Sequence, residues 1–313
     1  MSSSKIGVFP ASGGLGGSTL NHLINVVGPS RVVAIVRKPR NVPSNILETG
    51  VTIRQADYDD APTLDHAFDD ISTLNLISYA SIEHEHRFKV HKLAIDAARK
   101  SGVKHIFYSS LAFAGNGDPT SAAHVMQAHL DTEKYLASLA EQDSSFTYTV
   151  VRIGLYSESF PLYTAFFDLK QPDDVRIPHN GTGPGIAWAK QDDLGNAMAL
   201  LVKCFTESRD TFAFVNRIIL LSGPREWSLS ETVQALGRVS KKAVKLLEVS
   251  VDEYASQPQV QNGLTYGAGD LAAVWATAFE AIRRGEAAVS TSILGRILGR
   301  EPEGFEETIS MMV

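Results

Sequence analysis

The stretch that decides the fold is Lys5-Ile6-Gly7-Val8-Phe9-Pro10-Ala11-Ser12-Gly13-Gly14-Leu15-Gly16-Gly17-Ser18. A mostly apolar run followed by a glycine-rich turn and a helical pattern is typical of a strand–turn–helix unit. Gly13 and Gly16 have the spacing of the last two glycines of a G-x-x-G-x-x-G motif, whose first position is Pro10 here. Such a turn lets the backbone approach a pyrophosphate, and the helix beyond supplies free N–H groups. The turn predicts a dinucleotide site, although glycines also serve ordinary loops.

The same alternation of strand and helix continues outward from this turn. Strand-like runs occupy residues 5–10, 31–36, 52–56, 73–78, 105–109 and 147–153, and segments of crossover length lie between them. One of these, residues 86–101, has a helical apolar stripe. Alternation of this kind predicts an α/β fold, a Rossmann-type doubly wound parallel sheet with helices on both faces. Ligands bind such sheets at the carboxyl ends of the strands, so candidate site residues are sought there.

The second half of the chain is less regular. Helices are predicted at residues 193–205 and 270–284 and after Ser228, which forms a capping box with Glu231. Strands are predicted near residues 218–222 and at 243–250. We predict an NAD(P)-binding Rossmann domain over residues 1–153. Residues 154–313 then form a smaller, interleaved C-terminal substrate lobe, part of which returns to the Rossmann sheet.

Two cations, Arg37 and Lys38, end the second strand. In an NAD site this place usually carries an acid that binds the ribose hydroxyls, whereas a cation there fits a 2′-phosphate. Arginine can hold a phosphate with two hydrogen bonds. The alternative is that both residues only solubilise a turn. Their sign and position favour the phosphate, and NADP(H) is the predicted cofactor.

The next two strand ends supply further candidate cofactor contacts. Asp57 and Tyr58 follow the third strand, where a carboxylate can accept from the adenine amino group and an aromatic ring can stack on the base. Asp57 has the alternative role of capping the next helix. Tyr79 and Ala80 follow the fourth strand and are predicted to flank the middle of the cofactor.

Composition excludes several classes of function. The 313 residues carry a net charge of −6 with both signs interspersed, so the basic stripe of a nucleic-acid-binding protein is missing. The sequence has neither an apolar run of membrane-spanning length nor a signal peptide, which predicts a soluble, cytoplasmic protein without a membrane partner. Its one cysteine, Cys204, is expected to be buried and inert. Residues 83–86, Glu-His-Glu-His, are expected to be a solvated helix start, and no metal site is predicted.

These motifs together resemble the NmrA-like family of atypical short-chain dehydrogenases, and nearly the whole chain takes part. The resemblance rests on residues 10–16, 37, 56–57, 95–98, 101–105, 108–110, 128–134 and 148–152. Residues 129–158 are most similar to the branch that reduces quinones and triphenylmethane dyes. The resemblance implies a Rossmann domain with a small substrate lobe. It also implies cofactor contacts at Ser12, Gly13, Leu15, Gly16, Arg37, Lys38, Asp57 and Tyr58.

The chain departs from the family pattern at two places. Pro10 stands where a glycine is usual and lacks an N–H donor, which puts cofactor affinity in question. The Tyr-x-x-x-Lys pair of ordinary short-chain dehydrogenases is missing, because Val125 and His129 occupy the two positions. The usual proton donor is therefore absent.

Three residues are candidates for the chemistry. His129 has Glu133 four residues later on the same helix face, and the carboxylate is predicted to orient the imidazole and raise its pKa. An exposed pair without a role is the alternative.

Ser110, next to Ser109, can hold a substrate carbonyl or simply satisfy local backbone groups. Tyr156 can supply a phenol to the same space or pack a lobe interface. The aromatic residues of 160–167 are expected to be core rather than pocket.

Two functions of different kinds follow. The first is an NADPH-dependent oxidoreductase that transfers hydride to a quinone or related conjugated carbonyl, with a small aromatic or conjugated molecule as partner. The second is a non-catalytic NADP-binding redox sensor that acts through a protein partner. The missing tyrosine and lysine favour the sensor, whereas His129 and the aromatic-rich lobe favour the enzyme. Whether the chain forms a homodimer stays open.

Overall fold

The computed structural model describes residues 5–265 and 271–313. Its strands are β1 (Lys5–Phe9), β2 (Val32–Val36), β3 (Thr52–Gln55), β4 (Ile71–Ile77), β5 (His105–Leu111), β6 (Thr147–Ile153), β7 (Val175–Ile177), β8 (Arg217–Leu221) and β9 (Leu246–Glu248). The large sheet has the order β3-β2-β1-β4-β5-β6-β8, and its neighbouring strands are all parallel. Strand order reverses between β1 and β4, which is where such folds bind their ligands.

Helices connect these strands. They are α1 (Gly14–Val27), α2 (Ser44–Leu47), α3 (His84–Lys100), α4 (His124–Gln142), α5 (Gln191–Glu207), α6 (Leu229–Ser240), α7 (Val251–Ser256), α8 (Pro258–Gly263), α9 (Leu271–Arg283), α10 (Ile293–Leu298) and α11 (Phe305–Ser310). Short 3₁₀ helices lie at Pro29–Arg31, Pro39–Asn41, Ala61–Leu64, Ser157–Tyr163 and Arg209–Thr211.

Both faces of the large sheet are covered, which explains the unbroken apolar strands. All residues of β2 are buried, and burial on two faces removes the polar alternation of a half-exposed strand. Leu20 of α1 and Leu194 of α5 belong to the core on one face. Ala94 of α3 and Leu136 of α4 belong to the core on the other. The predicted Rossmann-type doubly wound sheet is confirmed.

Part of the second half joins this sheet. β8 pairs with β6 at one edge, and α5 packs so closely on α1 that a Cβ on Gly195 would lie 2.1 Å from the Ser18 hydroxyl. The remaining elements surround the small β7–β9 sheet and a separate core that contains Tyr163, Trp188 and Phe305. The division of the chain at residue 153 stays a prediction.

Most of the predicted elements are present, with shifted ends. The helix predicted at 86–101 begins at His84, and the one predicted at 193–205 begins at Gln191. The Ser228 capping box is present. The strand predicted at 243–250 is wrong in extent, because only Leu246–Glu248 pairs with its single neighbour β7. In the helix predicted at 270–284, residue 270 lies outside the described residues.

Cys204 corrects one expectation. Its side chain is exposed near the end of α5 rather than buried, because the helix turns this position away from the sheet. The aromatic residues after 159 are in the core as expected, with Phe160, Tyr163 and Phe167 all buried. Within the described residues, the helices are too short or too polar to cross a membrane.

Candidate functional site

The glycine-rich turn has the shape that an anion site needs. Gly13 has a φ of 79°, a conformation that side chains rarely adopt. A Cβ on Gly16 would lie 2.1 Å from the Pro10 carbonyl oxygen, so only glycine lets α1 begin this close to β1. The first N–H groups of a helix have no intrahelical acceptor, and no side chain caps those of α1. The turn offers free donors and the positive end of a helix dipole to a phosphate.

The predicted contact residues of the turn differ in what they can offer. Ser12 and Gly13 are exposed, whereas Leu15 and Gly16 are buried, so Leu15 and Gly16 can contact a cofactor only through their backbone. The N–H that Pro10 lacks precedes the helix and is not one of the free donors of α1. A fifth residue, Gln191 at the start of α5, lies against the turn, because a Cβ on Gly14 would be 2.3 Å from its amide.

A cavity of about 310 Å³ opens beside this turn, and its lining joins Ser12 and Gly13 to Arg37 and Lys38. Both cations are exposed, and within residues 5–265 and 271–313 neither side chain has a hydrogen bond or an ion pair. Arg40, one turn further, is also exposed. Cations without a carboxylate partner keep their donors free for a phosphate. The cavity therefore has the charge and the position that a 2′-phosphate requires.

Asp57 is partly engaged by its own loop. Its Oδ1 accepts from the Asp59 N–H at 3.2 Å, and the 3₁₀ helix Ala61–Leu64 has no side-chain cap. The alternative role of Asp57 as a helix cap is therefore wrong. The second carboxylate oxygen stays available for a donor such as an amino group, and its contact with adenine stays a prediction.

The stacking role expected of Tyr58 is wrong. Its ring is 3% exposed and packs against Phe9 with centroids 4.5 Å apart. Its hydroxyl donates to the Ile77 carbonyl at 2.8 Å, so the ring cannot stack on a base.

Tyr79 lies nearer the surface and donates to Asp59 Oδ2 at 2.7 Å. Burial and the Asp59 carboxylate raise the pKa of Tyr79 to about 12. Ala80 beside it is exposed.

The predicted pair of His129 and Glu133 is not formed. His129 is 2% exposed. Its Nε2 lies 2.8 Å from Arg87 Nη2 and its Nδ1 lies 2.9 Å from the Tyr108 hydroxyl. Since arginine can only donate, Nε2 is the acceptor and Nδ1 carries the hydrogen. Burial and the neighbouring guanidinium of Arg87 hold the pKa of His129 well below its usual value. A raised pKa and a role as proton donor are therefore wrong, because this imidazole is neutral and its N–H is engaged.

Arg87 is a buried cation held by neutral groups. It is 4% exposed, and its guanidinium donates to the carbonyls of Tyr79 at 3.0 Å and Val125 at 2.9 Å as well as to His129. Burial lowers its pKa. These bonds tie the end of β4 to the start of α4. Arg87 thereby fixes the strand end at which Tyr79 and Ala80 lie.

The buried histidines predict that acid destabilises the protein. Burial lowers the pKa of His91 and of His129 well below the usual value, and it lowers that of His105 to about 3. The unfolded chain binds these protons near pH 6.5 and the folded chain does not, so stability falls as the pH drops below about 6.5. Three protons bound only by the unfolded chain make the free energy of unfolding fall by about 4 kcal/mol for each pH unit below this range. Denaturant unfolding between about pH 7 and about pH 5 measures it, and constant stability over this window would contradict it.

Ser110 is engaged by a buried ion pair. Its hydroxyl donates to Glu133 Oε1 at 2.5 Å, and Arg152 donates to both oxygens of Glu133, at 3.1 and 2.8 Å. Arg152 and Glu133 are 1% and 6% exposed. Arg152 also donates to the carbonyls of the loop after β5. A role for Ser110 as donor to a substrate carbonyl is therefore wrong, because its proton is already bound.

Tyr156 is the predicted catalytic residue whose hydroxyl stays free. It follows β6, is half-buried, and packs against the core cluster that contains Ala11 and Leu15. Its hydroxyl has no partner within the described residues. Burial, aided by the Glu158 carboxylate, raises its pKa, so it is a neutral donor. Glu158 in turn accepts from the Gln191 N–H at 3.1 Å, which links this segment to the glycine turn.

The histidines of residues 83–86 form separate pairs. His84 Nε2 lies 2.7 Å from Asp131 Oδ2, and His86 Nε2 lies 2.9 Å from Asp59 Oδ1. Over the described ranges, no group of three or more histidine, cysteine or acidic side chains is placed to hold a metal ion.

Sequence reasoning missed Arg87, Arg152 and Gln191. Arg87 falls in helical register with Val90, His91 and Ala94, so it is a cation on the apolar face of α3. Arg152 interrupts an apolar strand that is buried on both faces. In both cases the charge in an apolar pattern was a usable signal of a buried polar network. For Gln191 the sequence gives no comparable signal.

The fold and the site define an α/β protein with a dinucleotide-type anion site at the switch point of its sheet. The sequence profile of the NmrA-like family matches residues 2–265. The chain belongs to the NmrA-like family.

Curated relatives and solved structures agree with this assignment. The chain is 31% identical over 297 residues to the NmrA-like family domain-containing oxidoreductase flvB of Aspergillus flavus, covering 93% of this chain and 89% of that protein. It is 32% identical over 268 residues to quinone oxidoreductase 2 of Escherichia coli, covering 86% and 85%.

Solved structures with a bound cofactor are among those similar to this chain. The NADPH complex of Escherichia coli NADPH-dependent quinone oxidoreductase has a TM-score of 0.79, is 27% identical, and the match covers 98% of this chain and 99% of that one. The NADP(H) complex of Citrobacter sp. triphenylmethane reductase has a TM-score of 0.77 at 27% identity, covering 99% and 100%.

Proposed function

We propose that the protein is an NADPH-dependent oxidoreductase that reduces a quinone or a related conjugated carbonyl compound. The observation that carries the proposal is the cavity that joins the glycine turn to the unpaired Arg37 and Lys38. A pyrophosphate at the turn and a 2′-phosphate at the cations would bind NADPH and discriminate against NADH. Relatives with quinone and dye reductase activity in their names support the reaction type.

The residues present fit this cofactor. The free N–H groups at the start of α1 would hold the pyrophosphate, Arg37 and Lys38 the 2′-phosphate, and Asp57 the adenine amino group. When bound, NADPH supplies a hydride, and together with one proton it converts a quinone to the hydroquinone and leaves NADP⁺. The chain's own task is to orient the acceptor at the carboxyl ends of β4, β5 and β6 and to exclude water.

A quinone suits this site better than an ordinary ketone. Ketone reduction needs a proton donor for the alkoxide that forms, and a tyrosine–lysine pair is missing here. His129 is neutral with its N–H bound by Tyr108, and the Ser110 proton is bound by Glu133. The reduced oxygen of a quinone is comparatively stable and can take its proton from solvent once it has left the site. The free hydroxyl of Tyr156 is then sufficient as a hydrogen-bond donor.

Replacing Tyr156 by phenylalanine tests this role. We expect kcat/KM for a quinone to fall about tenfold, the cost of about one hydrogen bond in a site closed to water, with NADPH affinity unchanged. Loss of NADPH absorbance with a panel of quinones measures turnover, and calorimetry measures the affinity. Tyr135→Phe serves as the matched control, because Tyr135 is half-buried on α4 and its hydroxyl donates to Asp96 of α3. Unchanged kinetics would show that Tyr156 does not contact the substrate.

The same assay separates the enzyme from the sensor. If NADPH binds but is oxidised by no acceptor, and NADP⁺ and NADPH bind with clearly different affinities, the redox-sensor function replaces the proposed one. Binding of neither nucleotide would overturn both functions.

A further inference from the structure

The start of α5 lies against the start of α1, and each charged side chain of residues 190–193 has a partner. The pairs are Lys190 with Glu303, Asp192 with Ser18 of α1, and Asp193 with Arg300. The carboxamide of Gln191, which stands among them, has no hydrogen bond within residues 5–265 and 271–313. Gln191 is half-buried. An amide that the fold leaves unpaired keeps its donors and its acceptor for a ligand.

The main chain of Gln191 is fixed in place. Its N–H donates to the two carboxylate oxygens of Glu158, at 3.2 and 3.1 Å. Glu158 thereby caps α5, since the N-cap residue of this helix offers no side-chain cap of its own. Further along, α5 is in close contact with α1, because a Cβ on Gly195 would clash with the Ser18 side chain. The Gln191 side chain therefore starts from a point that two neighbours hold beside the glycine turn.

This side chain extends over Gly14, the first residue of α1. The carbon, nitrogen and oxygen of its carboxamide would all lie within 2.5 Å of a Cβ on Gly14, so any side chain at position 14 would displace the amide. Ser12, Gly13 and Gly14 are all exposed. A ligand can therefore reach the amide and the turn from the same side, the solvent.

The backbone does not require a glycine at position 14. Gly13 has a positive φ, whereas Gly14 is helical and has none. Alanine is more favourable than glycine in a helix. The space that the Gln191 amide occupies is the feature of the structure that accounts for the missing side chain.

We propose that the Gln191 carboxamide donates a hydrogen bond to the diphosphate of the bound dinucleotide, and that the missing side chain of Gly14 leaves room for it. The proposal rests on the proposed function and adds a residue from the second half of the chain to its cofactor site. The diphosphate would accept from the free N–H groups at the start of α1 and from the amide of Gln191.

The diphosphate is distinguished from the 2′-phosphate by position. Arg37 and Lys38 line the cavity beside the turn, and Gln191 and Gly14 lie outside its lining. The two phosphate sites therefore predict separable effects. Every nucleotide with a diphosphate should depend on Gln191, whereas only nucleotides with a 2′-phosphate should depend on Arg37.

Calorimetric titration of NADPH and NADH into Gln191→Met and Gln191→Glu tests the proposal. Methionine keeps the length of the side chain but has no donor. We expect the Kd of both nucleotides to rise about tenfold with Gln191→Met, by the loss of one hydrogen bond to a charged group. Gln191→Glu should weaken both further, because it adds a like charge. Gln234→Met, at an exposed glutamine of α6, is the control and should change neither Kd by more than about twofold.

Packing alone gives a different expectation for the same variant. The carboxamide has no partner in the fold, so the melting temperature of Gln191→Met should stay constant on either interpretation. Only a cofactor-binding role makes the variant bind both nucleotides more weakly. If wild type binds NADPH and Gln191→Met keeps its Kd, the proposal is overturned while the proposed function stands. If wild type binds neither nucleotide, the proposed function fails as well.

Adenosine 2′-phosphate separates the two phosphate sites, because it carries the 2′-phosphate and no diphosphate. Its affinity, measured by competition with NADPH, should be unchanged in Gln191→Met and lower in Arg37→Glu. If Gln191→Met weakens adenosine 2′-phosphate as much as NADPH, the variant acts through the fold or the adenosine end, and the proposal is overturned.

Gly14→Ala tests the pairing of the two residues. The added methyl group would displace the carboxamide, so the Kd for NADPH should rise about as much as with Gln191→Met, while the melting temperature should not fall. The double variant should bind no more weakly than either single variant, because both changes remove the same hydrogen bond. Additive losses would show that the methyl group obstructs the nucleotide by itself, and the pairing of Gly14 with Gln191 would be overturned.

Discussion

Replacing Arg37 by glutamate is expected to weaken NADPH binding about 100-fold, or about 2.7 kcal/mol. Arg37 has no ion pair or hydrogen bond of its own among the described residues, so the fold loses little when it is removed. The change deletes a charge-assisted hydrogen bond to the 2′-phosphate and adds a repulsive carboxylate. NADH lacks this phosphate, and a carboxylate at this strand end can bind its ribose hydroxyls. NADH affinity should therefore stay constant or increase.

Calorimetric titration of both nucleotides into wild type and variant measures the effect. Lys104→Glu is the matched control, because Lys104 is an exposed cation next to the amino end of β5, on the opposite edge of the sheet. It should leave both affinities unchanged. Equal losses for NADPH and NADH with Arg37→Glu would show that the cation does not recognise the 2′-phosphate. If wild type showed no saturable binding of either nucleotide, the assignment of a dinucleotide site would be wrong.

The fold and the cofactor side of the site were predictable from sequence because they depend on local patterns. The apolar run and glycines of residues 5–16 specify a strand, a turn and a helix within a few residues of one another. Arg37 could be placed beside the turn because parallel strands end at the same edge of a sheet. No side-chain partner had to be identified in either case.

The residues predicted for the chemistry were placed poorly because they take partners from other elements. Helical spacing put Glu133 beside His129, but Arg152 of β6 and Ser110 of β5 offer Glu133 a charge and a hydroxyl in a buried place. Arg87 of α3 then donates a hydrogen bond to His129 Nε2. Such competition between partners distant in sequence is decided by the packing of the sheet against α3 and α4, which no local pattern encodes. Tyr58 illustrates the same limit, since its burial depends on Phe9 of β1.

The ion pair between Glu133 and Arg152 gives the largest effect of a substitution on stability that we expect. Glu133→Gln should lower the free energy of unfolding by about 3–5 kcal/mol, because it leaves the Arg152 charge buried without a counter-ion. Guanidinium unfolding measures the loss. Glu280→Gln, which weakens exposed pairs with Arg283 and Arg284, is the control and should cost less than about 1 kcal/mol. A similar small loss for both variants would show that Arg152 is compensated without Glu133.

Arg152 both pairs with the Glu133 charge and donates hydrogen bonds to the loop after β5, and a double variant separates these two roles. Glu133→Leu with Arg152→Met removes both charges, and apolar replacement of a buried pair is often neutral for stability. The carbonyls of Ala114, Gly115 and Asp118 would still lose their donor. We therefore expect stability to recover above that of Glu133→Gln while amide hydrogen exchange in residues 112–118 becomes faster. Recovered stability with unchanged exchange would mean that Glu286, which accepts from the Ala114 and Ala122 N–H groups, is sufficient to hold the loop. The ion pair would then serve the fold alone, and the loop after β5 would depend on Glu286.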